Sequence, residues 1–196
     1  MSERIRHLFG ASIEAKIAIV DLLSEGIAKA GLRLVNCLLN DNKIMVCGNG
    51  GSAANGLHFS AAMLNHFEVE RPPLPVMVLS TDCAVLTAVT NEGQTDHLFG
   101  RQIQALGQQG DVLITLSTSG NANNLLHAVH AAHDRGMDII ALNGRDGGVL
   151  ANHLGPEDIE IRVPGDRAAQ IRETHLFILH CFCDVIDQSL FGQMLE

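Results

Sequence analysis

The chain has 196 residues, 46% of them hydrophobic, with 13 Lys and Arg against 22 Asp and Glu and a formal net charge of −9. That is enough apolar matter for one compact domain. The acidic balance argues against direct DNA binding, which needs a basic surface to displace counterions from phosphates. Cys37, Cys47, Cys83, Cys181 and Cys183 are odd in number and contain no C-x-x-C pair, so neither a disulfide framework nor a structural zinc site is expected. No stretch approaches the roughly 20 apolar residues of a membrane span. Glu3, Arg4, Arg6 and His7 break up the first ten residues, unlike a signal peptide. A soluble, cytoplasmic protein is expected.

Apolar residues recur at helical spacing from Ile13 to Leu39 (Ile17, Val20, Leu23, Ile27, Ala30, Leu34, Leu38) and predict a long helix or a helix pair. Five short apolar runs follow: Lys43–Cys47, Pro75–Ser80, Asp111–Leu116, Asp138–Leu142 and Ile159–Val163. They are β-branched and mostly non-alternating, as strands buried on both faces of a parallel sheet are. Helical patterns lie between them at Ala53–Phe67, Thr95–Leu106 and Asn121–Asp134, with a short one near Gly147–His153. A last long helix is expected over Asp166–Phe191. Strand–helix alternation implies right-handed crossovers and an α/β, three-layer, doubly wound five-stranded parallel sheet. The expected organisation is a single domain over 1–196, with an N-terminal helical segment (1–40), an α/β core (41–164) and a C-terminal helix (165–196). The terminal helices carry more apolar residues than one small domain can cover, which predicts an oligomer.

Two loops carry the chemistry. The first strand ends in Cys47-Gly48-Asn49-Gly50-Gly51-Ser52, and the third in Ser117-Thr118-Ser119-Gly120-Asn121, each just before a helix. In open α/β sheets ligands bind at the carboxyl ends of the strands, where helix N-termini offer N–H groups to anions. Asn49, Gly50, Gly51, Ser52, Ser117, Thr118 and Ser119 are therefore the candidate phosphate-binding residues. Neither loop is a Walker A or a dinucleotide fingerprint, so a phosphate monoester fits better than a nucleotide.

These loops resemble those of the sugar isomerase (SIS) domain family. With His58-Phe59, Gly110-Asp111-Val112-Leu113, Asp146-Gly147-Gly148 and Ile159-Glu160-Ile161-Arg162-Val163-Pro164, they resemble its phosphoheptose isomerase branch over nearly the whole chain. That branch also holds non-enzymatic relatives that associate with the replication initiator DnaA. The resemblance implies a flavodoxin-like SIS fold and a homotetramer built through the long terminal helices. In its enzymes, a Glu one turn after the His of His-Phe is the base and a His on the last helix is the acid. Zinc is often held by both histidines, that Glu and a Gln.

Here the matching residues are His58, Ala62, Arg172 and His180. Alanine cannot accept a proton, and arginine is a permanent cation without an acceptor. Ala122 replaces a serine after Ser-Gly-Asn, and Asn91-Glu92 replaces an Asn-Asp pair. His180 is thus a remnant acid, His58 and His180 a remnant metal pair, and Glu92 the candidate base of a divergent enzyme. Taken by themselves, both histidines read first as structural, and Arg172 as either a rim residue or a phosphate grip. His127, His130 and His133 read as one helix face, and His175 shows no ligand spacing. No cofactor is expected, and zinc only if the chain is an isomerase. Leu190-Phe191 stands where the DnaA-associating relatives carry a functional Leu-Phe pair, and also suits helix packing.

The expected function is a DnaA-binding homotetramer that binds sugar phosphate on a degenerate isomerase site. A phosphoheptose isomerase acting on sedoheptulose 7-phosphate, and a sugar-phosphate sensor, are the alternatives.

Overall fold

The computed structural model describes residues 1–192. In chain order the elements are α1 (Ser2–Leu39), β1 (Ile44–Gly48), α2 (Gly51–Leu64), β2 (Val76–Val78), α3 (Cys83–Asn91) and α4 (Leu98–Leu106). There follow β3 (Val112–Leu116), α5 (Asn123–Asp134), β4 (Asp138–Gly144), α6 (Gly148–Ala151), β5 (Ile159–Val163) and α7 (Ala168–Phe191). A 3-10 turn, Thr95–His97, leads into α4. All strands are parallel, in the order β2-β1-β3-β4-β5, with Gly48 opposite Leu116 where β1 and β3 end.

Each face of the sheet has its own core. Ile44, Val46, Ile114, Leu116 and Leu142 face Leu34, Phe59, Ile178 and Phe182 of α1, α2 and α7. Met45, Cys47, Leu113 and Ile139 face Phe99, Ile103, Leu125 and Val129 of α4 and α5. Successive side chains point to opposite faces, both covered, so the central strands have no polar alternation to show. The edge strand β5 does alternate: Glu160 and Arg162 turn outward and pair with each other.

The N-terminal helix is longer and less interrupted than expected, whereas α7 starts two residues later than the expected Asp166. α1 is one rod of 38 residues rather than a pair, about 57 Å long at 1.5 Å per residue. Ile5, Phe9, Ile13, Ile17 and Val20 on it are exposed. With α7 it forms an open apolar groove of about 550 Å³ that includes Ile17, Leu23, Phe177 and Val185. α3 was not expected. Its sequence, Cys83-Ala-Val-Leu-Thr-Ala-Val-Thr-Asn91, is short and rich in β-branched residues. It forms because Asp82 caps it, its carboxylate accepting from the N–H of Ala84 and Val85 at 2.9 and 3.0 Å.

α2 and α7 run side by side on one face and are stapled at their far end. Arg71, buried after α2, donates from Nε to Asp187 of α7 at 2.8 Å. Its other nitrogens donate to the carbonyls of Met63, Pro72 and Ala62. This seam holds the two helices that carry the candidate site. Among the described residues, no helix is long and apolar enough to cross a membrane.

Candidate functional site

β1 is followed by a helix on one face of the sheet and β3 by a helix on the other. The crevice between their ends is the topological switch point, where open α/β sheets receive ligands. Both candidate phosphate loops meet there. Across it, Asn49 and Asn124 exchange two side-chain hydrogen bonds, each 2.9 Å. Asn124 was not foreseen; a buried asparagine one residue into α5 carries no signal by spacing.

The first loop turns at Gly50, which caps α2 at φ 55° without a side-chain bond. Ser52 is buried in the first turn of α2, beneath the loop. Beside the loop lies an open cavity of about 390 Å³, walled by Gly48, Asn49, Gly50, Ser80, Leu86 and Phe99. The buried Ser80 hydroxyl has no hydrogen-bond partner there.

The second loop is a tight turn built on Ser117, whose buried Oγ accepts from the N–H of Gly120 at 2.8 Å and of Ser119 at 3.4 Å. Ser117 therefore shapes the loop from within, while Thr118 and Ser119 are half-buried at its surface. Gly120 sits at φ 65°, and a Cβ there would fall 1.8 Å from the carbonyl oxygen of Gly147, so only glycine lets this loop seat on the turn before α6. Ala122 caps α5 and packs into the core, contributing no hydroxyl.

The two remnant histidines are brought together. His58 Nε2 and His180 Nε2 lie 2.8 Å apart, so one ring donates to the other. Phe67 packs against the His180 ring at 5.4 Å between centroids. Burial pushes His180 below the ordinary histidine range, and a charge on His58 pushes the same way. The two histidines form one polar pair, with His58 exposed on α2 and His180 half-buried on α7.

Around the pair the donors run out. Ala62 is buried against the core, its carbonyl bound to Arg71. Arg172 turns toward the first loop and packs on Gly51. Among the described residues no three His, Cys, Asp or Glu side chains are grouped to hold a metal. A catalytic zinc needs three protein ligands, so the residues present do not fit one. Glu92 does not fill the gap. It is exposed at the end of α3, which packs with α4 on the face of the sheet opposite α2 and α7, so within one chain it does not stand beside the histidine pair.

The remaining candidates are structural or peripheral. His175 is fully buried, its Nε2 against the carbonyl of Asn143 at 3.1 Å, and burial pushes its pKa down to about 4. His127, His130 and His133 do share one face of α5, pairing with His97, His153 and Asp158. Leu190 packs against the core from the last turn of α7, and Phe191 is half-buried at its end.

The switch-point crevice, its two loops and this sheet order define a sugar-isomerase-type domain, and the chain belongs to the SIS domain family, whose model matches residues 9–144. Within the family it groups with the phosphoheptose isomerases. It is 52% identical over 193 residues to the phosphoheptose isomerases of Shewanella sp. strain W3-18-1 and Shewanella baltica strain OS155, covering 98% of each chain. The solved phosphoheptose isomerase GmhA of Neisseria gonorrhoeae superposes with a TM-score of 0.90 at 44% identity, over 95% of this chain and 98% of that one. A phosphoheptose isomerase from Francisella tularensis gives 0.92 at 47%, over 95% and 97%.

Proposed function

We propose that this chain binds a phosphorylated sugar at the β1–β3 crevice without isomerising it at enzymatic rates. It would act as a homotetrameric adaptor for the initiator DnaA, like the DnaA initiator-associating (DiaA) proteins of its branch. The carrying observation is the environment of the histidine pair: a methyl group at Ala62 where the branch's chemistry uses a carboxylate, and a guanidinium at Arg172 directed elsewhere. Moving a carbonyl along a sugar needs a positioned base, whose loss costs about 10²–10⁴-fold in rate. The uncapped N-terminus of α2 and the half-buried hydroxyls of Thr118 and Ser119 suit a phosphate. The uncovered apolar row of α1 and its groove with α7 support the tetramer. The end of α7, with Leu190 and Phe191, is the surface proposed for DnaA.

The similar proteins favour a second reading, phosphoheptose isomerase itself, more directly than they favour DnaA binding, because the relatives at 52% identity carry that name. On that reading the chain converts sedoheptulose 7-phosphate, with a base from outside the residues grouped here, and zinc enters only with ligands from another copy.

One assay separates the two. Incubation with sedoheptulose 7-phosphate, with and without added zinc, gives no turnover at ordinary enzyme rates on the first reading. Rapid turnover establishes the second. Ala62→Glu with Arg172→Gln restores the donor set and is expected to raise any residual isomerase rate by about 10²-fold or more. Capture of DnaA by the wild type, reduced by Phe191→Ala, tests the adaptor role; no capture by the wild type ends it.

A further inference from the structure

Arg172 stands apart from the other buried or half-buried cations of the described residues. Lys16, Arg33, Lys43 and Arg71 each have a carboxylate partner, whereas Arg172 forms no ion pair with any described residue. Its acidic neighbour Glu173 faces the other way and is taken by Lys16 and Ser12 of α1. The backbone beneath it is fixed, because Asn55 of α2 donates to the Arg172 carbonyl at 2.8 Å. The side chain then lies flat on the first loop. A methyl at Gly51 would sit 2.8 Å from Arg172 Cδ and 3.0 Å from Nε. Gly51 needs no unusual backbone angle, so what its missing side chain supplies is room for this guanidinium.

The result is a concentration of positive potential at one spot. The guanidinium stands over the first residue of α2, whose N-terminus has no side-chain cap and carries the positive end of the helix dipole. In a chain of net charge −9, this cation has no counterion among the described residues. Two hydrogen-bonded imidazoles, two turns further along both helices, are the nearest part of the branch's metal site. Arg172 has left that site for the loop.

We infer that Arg172 is a ligand-binding residue, its guanidinium holding the phosphate of a phosphorylated sugar against the β1–α2 loop so that binding needs no metal. The planar fork takes two phosphate oxygens in parallel hydrogen bonds, which an ammonium cannot reproduce. The α2 N–H groups face a third oxygen. Because Gly48 lies opposite Leu116 in the sheet, Thr118 and Ser119 border the same crevice and are within reach of the sugar. The inference rests on the sugar-phosphate reading above and specifies which group makes it work.

Calorimetric titration in EDTA-containing buffer tests it, with sedoheptulose 7-phosphate, inorganic phosphate and unphosphorylated sedoheptulose as probes. The wild type should bind both phosphates without metal and bind sedoheptulose much more weakly. Arg172→Gln should weaken phosphate binding about 10- to 100-fold, the factor lost with a charge-assisted pair, and Arg172→Lys should restore part of it. Gly51→Ala is the second variant, since it displaces the flexible arginine without removing its charge. It should also weaken binding, and adding it to Arg172→Gln should cost nothing more, because both act through one side chain. Thermal midpoints close to wild type confirm that the variants fold; if Arg172→Gln does not fold, Gly51→Ala carries the test. Equal affinity in wild type and the folded variant overturns the inference and leaves the sugar-phosphate reading standing. So does binding that vanishes in EDTA. No binding of either phosphate under any condition overturns both.

Discussion

Two arginines occupy opposite ends of the seam between α2 and α7. Arg71 is buried, and its three nitrogens are bound to Asp187 and to the carbonyls of Ala62, Met63 and Pro72. Arg172 is half-exposed, touches a glycine, and forms no ion pair with any described residue. The same side chain is a staple where every donor is satisfied and a receptor where its donors are free. Residue type therefore says little about role; the accounting of donors and acceptors says most of it.

Arg71→Leu should cost about 3–5 kcal/mol in urea unfolding, because it strands the buried Asp187 carboxylate and several carbonyls. Asp187→Leu should cost a similar amount, and the double variant less than the sum. A loss under about 1 kcal/mol would show that the seam is held by apolar packing alone.

On α7 itself, His175 is fully buried and His180 only half-buried. His175 is neutral in the folded protein, with its pKa depressed from 6.5 to about 4. Between those values the unfolded chain takes up a proton that the native state refuses. Stability is then full above about pH 6.5 and falls as pH drops toward 4, by about 3 kcal/mol in total, with no further loss from this group below that. Unfolding followed against pH should show the slope, and His175→Gln should flatten it. A slope unchanged in that variant would assign the acid sensitivity to other groups.

The smallest expected effect is the most telling for Arg172. Arg172→Gln should leave stability within about 0.5 kcal/mol of wild type, as for a surface change without buried partners. A large loss would make it a second staple rather than a receptor.

Much of this was legible beforehand. The five strands and both loops are marked by short apolar runs ending in Gly and Ser clusters, because buried parallel strands leave that trace. α3 was not legible: its Val and Thr content argues against a helix, and the Asp82 cap that forms it is a single residue. Ala62 and Arg172 were visible as departures from a resembling pattern, but not where Arg172 points, since the choice between rim and loop depends on Gly51 being bare. Glu92 was a candidate only as the residue in place of an Asp in the resembling pattern, and chain order does not reveal which face of a sheet its helix covers. Arg71, set between Glu70 and two prolines, gave no sign of its partner 116 residues away.

The reciprocal amide bridge between Asn49 and Asn124 has a kinetic consequence. It spans the gap between two loops whose helices lie on opposite faces of the sheet, fixing their separation before anything arrives. The ordering of these loops is then borne by folding, not by the encounter with a ligand. Association should proceed as a docking onto a finished frame, with little heat-capacity change beyond the surface covered. Severing the bridge, by Asn124→Ala, should show up first as slower capture and a larger entropic penalty rather than as a change in which anions are accepted.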